Sequence, residues 1–328
     1  MPVIGFHNSH EQIHPAQLLR DVQHAEEVGF TAAMCSDHFG PWNLQQGHSG
    51  FAWSWLGAAM ATTSLPFGAV NAPGQRYHPA IVAQAIATLG AMFPGRFWVA
   101  LGSGEAMNEH ITGDKWPRKD IRDARLRECV AVIRALLAGE EVTHEGLVTV
   151  DRARIWSLPE QSPALIAPAV SVATARAAAD WADGLVTINQ PHDHVREMVA
   201  AYRDAGGRGK LVLQHHLSYD PDADRALAVA FDQWHSNVFP PPLSWDLDSP
   251  EAFEAASAHV TPEVVAGAVA VSSDLGQHAD WIQAYVDLGF EEIYLHHVGQ
   301  EQRRFLDAFG EHVLPQLGVT VPGPAVAV

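Results

Sequence analysis

The sequence has few cysteines and no long hydrophobic run. Its 328 residues include two cysteines, Cys35 and Cys129, which lack the paired spacing of a metal site or redox motif. The N-terminus has no basic region followed by an apolar stretch, and no apolar run is long enough to cross a membrane. We therefore expect a reduced, cytoplasmic protein without an export signal or membrane span.

Positive charge is scarce as well. Lys and Arg total 20 against 38 Asp and Glu, which gives a formal net charge of −18. No block of Lys and Arg occurs that could follow a phosphate backbone, so nucleic acid and anionic membrane are poor candidate partners. The expected partner is a small-molecule substrate.

Several common catalytic signatures are missing. The sequence contains neither Gly-x-Ser-x-Gly nor a Walker phosphate loop. Histidines are paired at His215-His216 and His296-His297, but neighbours in a strand point to opposite faces. No His-Glu-x-x-His motif, carboxylate cluster or thiolate set accompanies them, so we predict no metal site.

Short apolar runs that alternate with helical patterns predict parallel βα units. The eight candidate strands span residues 2–7, 31–37, 65–71, 96–102, 164–169, 184–188, 210–218 and 291–297. No glycine loop follows the first strand, which favours a closed (β/α)8 TIM barrel over an open doubly wound sheet. We interpret residues 140–156 as a β-hairpin and 237–271 as a second insertion. One domain is expected over 1–318, with a flexible tail over 319–328.

Barrel enzymes place their catalytic groups after the carboxyl ends of the strands. Asp37-His38 joins a carboxylate to an imidazole that could move a proton near neutral pH; the alternative is a helix cap beside a partly buried histidine. The glycines of Gly102-Ser103-Gly104-Glu105 let the backbone approach a flat ligand, and Glu105 is a candidate acid. The alternative there is a tight turn that leads into a helix.

Aromatic residues cluster near the end of the second strand. Trp42 could stack on a ring system. Trp53 and Trp55 are at helical spacing, which is more typical of core residues.

Three motifs resemble those of the F420-dependent glucose-6-phosphate dehydrogenase group of the luciferase-like family. They are Ser36-Asp37-His38-Phe39, Gln75-Arg76-Tyr77-His78-Pro79 and Gly102-Ser103-Gly104-Glu105. Residues 51–56, 72–75 and 239–243 resemble still more closely a branch of probable non-F420 flavin oxidoreductases that use FMN. The resemblance therefore implies an oxidoreductase with FMN, ranked slightly ahead of F420, that works as a dehydrogenase or monooxygenase. It also implies a homodimer and, for a monooxygenase, a flavin reductase as partner.

Two alternatives stay open. One is an F420-dependent alcohol or sugar dehydrogenase, and the other is a barrel that binds a ligand without turnover. The family's phosphate-binding lysine is replaced by Gln190, and residues 240–246 and 264–269 offer no cation. Glucose 6-phosphate is therefore not the expected substrate, and a small non-phosphorylated molecule is.

The resemblance also assigns roles to individual residues. His38, Glu105 and Trp42 would be catalytic, and Glu11 and Gln190 would lie in the substrate pocket. A cis peptide bond would join Ala69 to Val70. The residues expected to bind the cofactor are Asp37, Ala69, Val70, Ala72, Ser103, Gly104, Asn108, Val170 and Ser171.

Overall fold

A computed structural model describes residues 2–319, and eight parallel strands form a closed barrel within them. The strands are β1 Val3–Asn8, β2 Ala32–Ser36, β3 Phe67–Asn71, β4 Phe97–Leu101, β5 Val142–Glu145, β6 Thr149–Ala153, β7 Ala164–Pro168, β8 Gly184–Ile188, β9 Lys210–Tyr219, β10 Ala270–Ser272 and β11 Glu292–His297. The barrel order is β1-β2-β3-β4-β7-β8-β9-β11, and β11 pairs back with β1. The predicted TIM barrel and all eight of its strands are confirmed.

Helices connect successive barrel strands. They are α1 Pro15–Glu27, α2 Ala52–Thr62, α3 Pro79–Met92, α4 Ala106–Glu109, α5 Lys119–Leu137, α6 Val172–Ala178, α7 His192–Asp204, α8 Ala223–Trp234, α9 Leu243–Asp246, α10 Pro250–Ala256, α11 Pro262–Ala266, α12 Leu275–Asp287 and α13 Arg303–Ala308. Short 3-10 turns cover His110–Thr112, His235–Asn237 and Leu314–Leu317, and a π turn covers Phe309–Val313. None of the helices described between residues 2 and 319 is long and apolar enough to cross a bilayer.

Local sequence explains where the longer helices begin and end. The rings of His14 and His78 accept a backbone N–H at the starts of α1 and α3, and each is followed by proline at the first helical position. Gly29, Gly206 and Gly289 follow α1, α7 and α12 with φ angles of 105°, 95° and 95°. Only glycine adopts that conformation without strain, which is why these helices end there.

The hydrophobic core consists of two layers, one outside and one inside the barrel. The outer layer lies between the sheet and the helices. The inner layer fills the barrel with Met34, Trp98, Ile166, Val212 and Tyr294. Because inward-facing residues alternate along each strand, the next inward positions towards the carboxyl ends line the functional end of the barrel.

The two predicted insertions are present. Strands β5 and β6 form an antiparallel hairpin, as predicted. Residues 237–271 contain α9, α10, α11 and β10, and β10 extends the sheet beside β9. Val319 is buried, and its N–H donates to Leu314 O at 3.0 Å. The rest of the predicted tail, residues 320–328, lies outside the described residues.

The expected cis bond between Ala69 and Val70 is wrong. Both residues lie in β3 and pair in register with β2 on one side and β4 on the other. A trans peptide keeps both ladders of hydrogen bonds. The cis bond found among the described residues joins Pro241 to Pro242.

Candidate active site at the carboxyl ends of the strands

Two connected cavities open at the carboxyl end of the barrel. The larger has a volume of about 790 Å³ and the smaller about 370 Å³. His38, Val70, Glu105 and Val170 line both cavities and so form the boundary between them. Volumes of this size are typical of cofactor and substrate sites.

The smaller cavity has the character of a site for a flat ring. Aliphatic groups of Val70, Ala72 and Val170 line it together with the Gly102-Ser103-Gly104 turn. Gly104 has a φ of 83°, so the turn depends on glycine, and the missing side chain keeps the backbone open to a ligand. Asp37 and Asn108 also line this cavity, where the resemblance places the cofactor.

Three cations, Arg76, Lys119 and Arg127, line the smaller cavity together with several carboxyl groups, and Arg76 and Lys119 are paired with carboxylates. The Lys119 Nζ also donates to Ser103 Oγ at 3.1 Å. Both Lys119 and Arg127 come from α5. They give the cavity a place for an anionic part of a cofactor. The walls and these cations together fit a flavin or deazaflavin that carries a phosphate.

Two of the predicted cofactor residues do not line either cavity. Ala69 is buried in the outer layer between the sheet and the helices, because it alternates with the inward-facing Val70. Ser171 caps α6, where its Oγ accepts the N–H of Thr174 at 3.3 Å. These two side chains are therefore not placed to contact a ring bound in either cavity.

His38 lies beside the carboxyl group of Glu11 and the amide of Asn108. Its Nδ1 is 3.6 Å from Glu11 Oε1 and 3.4 Å from Asn108 Nδ2. Asn108 Oδ1 accepts the N–H of Phe39 at 2.8 Å, which fixes the orientation of the amide. Its Nδ2 is thus free to donate to Glu105 Oε2 at 3.3 Å. Four of the predicted residues therefore form one connected group.

Burial sets the protonation states in this group. Burial, then the Glu11 and Glu109 charges, raises the pKa of Glu105 to about 8. Burial also raises the pKa of Glu11 to about 7. The pKa of His38 is lowered to about 3 by burial, then by Arg76 and His10. At neutral pH the imidazole is therefore uncharged while Glu105 carries a proton, an arrangement typical of paired acid and base groups.

Asp37 has a different environment from its neighbour His38. Asn71 Nδ2 donates to Asp37 Oδ2 at 2.8 Å, and the buried Arg76 lies 3.4 Å from the same oxygen. Glu109 Oε2 accepts the backbone N–H of Arg76 at 2.6 Å. Burial raises the pKa of Asp37, while Arg76 and these hydrogen bonds oppose that shift. These contacts hold Asp37 beside the cavity.

The larger cavity is aromatic and carries no basic side chain of lysine or arginine among its described lining residues. Trp42 lies over its mouth, with ring centroids 4.9 Å from His38 and 5.3 Å from Phe253. Glu11 and Gln190 line it, as predicted for substrate-pocket residues. Pro240, Pro241 and residues 266–269 form part of its wall, so the insertion contributes to this cavity.

Trp53 and Trp55 are core residues, as the helical spacing indicated. Trp55 is buried, and its Nε1 donates to Pro15 O at 3.2 Å. Trp53 packs against Phe97 with ring centroids 6.1 Å apart. Within residues 2–319, no group of three or more His, Cys, Asp or Glu side chains has the geometry of a metal site.

Sequence reasoning missed three contributors to the site. Arg76 lies in a motif that the resemblance used, but the pattern gave it no role. Lys119 has no local signal, since only the fold brings α5 to the end of β4. Gln214 could have been found from the alternation along β9, because it shares the inward face with His216.

Comparison with known proteins agrees with this geometry. The sequence profile of the luciferase-like monooxygenase family matches residues 2–292. An F420-dependent glucose-6-phosphate dehydrogenase of Microbacterium testaceum (strain StLB037) is 35% identical over 95% of this chain and 96% of its own. A protein of the same description from Nakamurella multipartita is 35% identical over 97% of both chains.

A solved structure has a similar fold. An F420-dependent secondary alcohol dehydrogenase, in complex with an F420-acetone adduct, is 29% identical and has a TM-score of 0.89. The match covers 96% of this chain and 99% of that one. These relatives are F420-dependent, so the expectation that ranked FMN ahead of F420 has no support in them.

Proposed function

This chain belongs to the luciferase-like monooxygenase family, and from that premise we propose that it is an F420-dependent dehydrogenase of an uncharged alcohol or sugar. It is an oxidoreductase with a flavin-type cofactor, as its relatives are. The main support for the narrower proposal is the difference in basic side chains between its two cavities. Lys119 and Arg127 line the smaller cavity, whereas lysine and arginine are missing from the described lining of the larger one.

The smaller cavity is the proposed cofactor site. Val70, Ala72 and Val170 would hold the ring, and Lys119 and Arg127 would face its anionic tail. The Gly102-Ser103-Gly104 turn lets the backbone approach the ring closely. F420 is preferred to FMN because the 35% identical relatives and the 29% identical structure are F420-dependent.

The residues around His38 account for proton transfer. When bound, F420 supplies a deazaflavin ring that accepts hydride from the carbon that bears the substrate hydroxyl. The neutral His38 takes the hydroxyl proton. Glu11 has a pKa of about 7, and its ionised form stabilises the imidazolium that forms, since its Oε1 lies 3.6 Å from Nδ1. Glu105 is protonated at neutral pH and is the proton donor of the site.

The larger cavity favours a substrate without phosphate. A phosphate group needs a cationic partner when it is removed from water. Its ionisable lining groups include Glu11, Glu105 and imidazoles such as that of His38, whose pKa burial lowers. The named relatives act on glucose 6-phosphate, so the proposal is that this chain keeps their cofactor and differs in substrate.

The proposal is tested by steady-state reduction of F420 with three probes: 2-propanol, D-glucose and D-glucose 6-phosphate. We expect F420 reduction with an uncharged probe and a kcat/KM for glucose 6-phosphate at least tenfold lower. The matched control is Trp53→Phe, a core change far from both cavities, which should keep this ranking. Glucose 6-phosphate as the best substrate would overturn the substrate assignment, and no reduction of F420 by either uncharged probe would overturn the proposed dehydrogenase.

A further inference from the structure

Four polar side chains form the barrel end of the larger cavity, and we name them the polar floor: His7, Gln214, His216 and His296. They occupy the inward positions of β1, β9 and β11. On β9, Gln214 is the next inward-facing residue after Val212 of the inner layer. On β11, His296 is the next inward-facing residue after Tyr294. His216 and His296 are partners in the parallel register of β9 and β11. The proposed proton-transfer residues do not include any of the four.

A directed chain of hydrogen bonds orders the polar floor. The Gln214 amide nitrogen lies 3.1 Å from both His216 Nε2 and His296 Nδ1, so its two hydrogens serve both rings. His296 then carries its proton on Nε2 and donates to Gln12 Oε1 at 2.8 Å. Gln12 Nε2 donates onward to Gln233 Oε1 at 3.1 Å and to Val298 O. These hydrogen bonds therefore fix the orientations of the His216 and His296 rings.

The chain leaves a donor and an acceptor for the cavity. Since His216 Nε2 accepts from Gln214, its proton is on Nδ1, which has no hydrogen-bond partner among the described residues. Gln214 Oε1 has no partner in that part of the chain either. His7 Nδ1 is buried without a partner, while its ring stacks on His296 with centroids 4.4 Å apart. Of these three atoms His7 Nδ1 is fully buried, whereas His216 Nδ1 and Gln214 Oε1 are open to the cavity, so a group that enters the cavity can pair with them.

The polar floor is uncharged. Burial lowers the pKa of His216 to about 3 and, together with the neighbouring imidazoles, lowers the pKa values of His7 and His296 well below 6.5. Trp234 lies against two of the rings, with centroids 4.8 Å from His216 and 4.9 Å from His296. An anion finds no compensating charge here, whereas a hydroxyl both donates and accepts.

We propose that the polar floor binds a second hydroxyl of the substrate, which makes the substrate an uncharged diol or polyol in preference to a monohydric alcohol. This inference rests on the proposed function, which places the reacting hydroxyl at His38. The second hydroxyl donates to Gln214 Oε1. The Nδ1–H of His216 lies across the ring from Gln214 and donates to a different oxygen of the substrate. Gln214 and His216 are then specificity-determining residues, and Gln12 and His296 are positioning residues behind them.

The test measures ligand binding through intrinsic tryptophan fluorescence, to which Trp42 and Trp234 in the cavity contribute, so that it does not depend on turnover. The probes are cyclohexanol and the 1,2-, 1,3- and 1,4-cyclohexanediols, titrated into the full chain. We expect one diol to bind about tenfold more tightly than cyclohexanol, the effect of one additional well-formed pair of hydrogen bonds. In Gln214→Leu and His216→Phe this preference should fall to within about twofold, with the Kd of cyclohexanol little changed.

His297→Phe is the matched control. His297 neighbours His296 on β11, but it faces outward and stacks on Phe305 with centroids 5.2 Å apart. This variant should keep the diol preference of the wild type. Gln214→Leu, which removes no ring from the core, keeps the test valid should His216→Phe fail to fold. The inference is overturned if the wild type shows no diol preference or if Gln214→Leu retains it. Diol preference without F420 reduction would instead contradict the proposed function alone.

Discussion

Glu105 combines burial with close acidic neighbours, and its chemistry follows from both. Glu11 and Glu109 add to the effect of burial in raising its pKa to about 8. The raised pKa means that the folded protein favours the protonated form, which is lost as the pH rises through about 8. Proton donation by Glu105 should therefore persist through neutral pH and fail in alkaline solution.

Glu105→Gln tests this role. The amide keeps the size of the side chain and a possible hydrogen bond to Asn108 but carries no transferable proton. We expect kcat to fall about 100-fold or more, the usual contribution of a general acid, with the fold retained. In the wild type kcat should decline above about pH 8, and the variant should lack this decline. A variant with wild-type turnover, or with the same alkaline decline, would contradict the role.

The local sequence predicted which residues are candidates for catalysis better than it predicted which residues they contact. Asp37, His38 and Glu105 follow strands directly, and parallel strands bring such residues to one end of a barrel. The contacts of Arg76 with Asp37 and of Gln214 with His296 join segments 39 and 82 residues apart. No local pattern encodes those separations, so the orientation of the site came from the structure alone.

At the scale of elements, the strength of the sequence signal follows element length and burial. The barrel strands were predictable because they are continuous apolar runs bounded by turns. Residues 237–271 were predicted only as an insertion, since α9, α10 and α11 have 4, 7 and 5 residues. Helices that short complete too few turns to show a periodic face.

Two glycines test the packing of these elements. A Cβ at Gly68 in β3 would clash with the ring of the buried Trp98, so Gly68→Ala should destabilise the protein by about 1–3 kcal/mol. At Gly57 in α2 a Cβ meets nothing within 4 Å, so Gly57→Ala should stabilise it by about 0.5–1 kcal/mol. Urea unfolding of both variants measures the difference. Equal effects would show that the inner layer tolerates the added methyl group.

At the scale of the whole molecule, the expected homodimer stays a prediction. Phe51, at the start of α2, is 54% exposed, as an interface residue would be in an isolated chain. Light scattering coupled to size exclusion should then give twice the chain mass of 35.6 kDa. A mass of one chain at micromolar concentration would contradict it.

Basic side chains are unevenly distributed between the two cavities of this acidic molecule. The chain is acidic, with a net charge of −18, yet Arg76, Lys119 and Arg127 line one cavity. The larger cavity next to it has Glu11, Glu105 and imidazoles such as that of His38 among its ionisable lining groups. The fold thus separates a cavity lined by cations from one without lysine or arginine among its described lining residues, which suits the proposed anionic cofactor and uncharged substrate.

Titration of the cofactor-free protein with F420 and with FMN, followed by fluorescence, tests the central claim most directly. The account predicts that F420 binds at least tenfold more tightly than FMN and that replacing Lys119 with Met weakens F420 binding. Tighter binding of FMN than of F420 would contradict this account and would favour an FMN-dependent oxidoreductase.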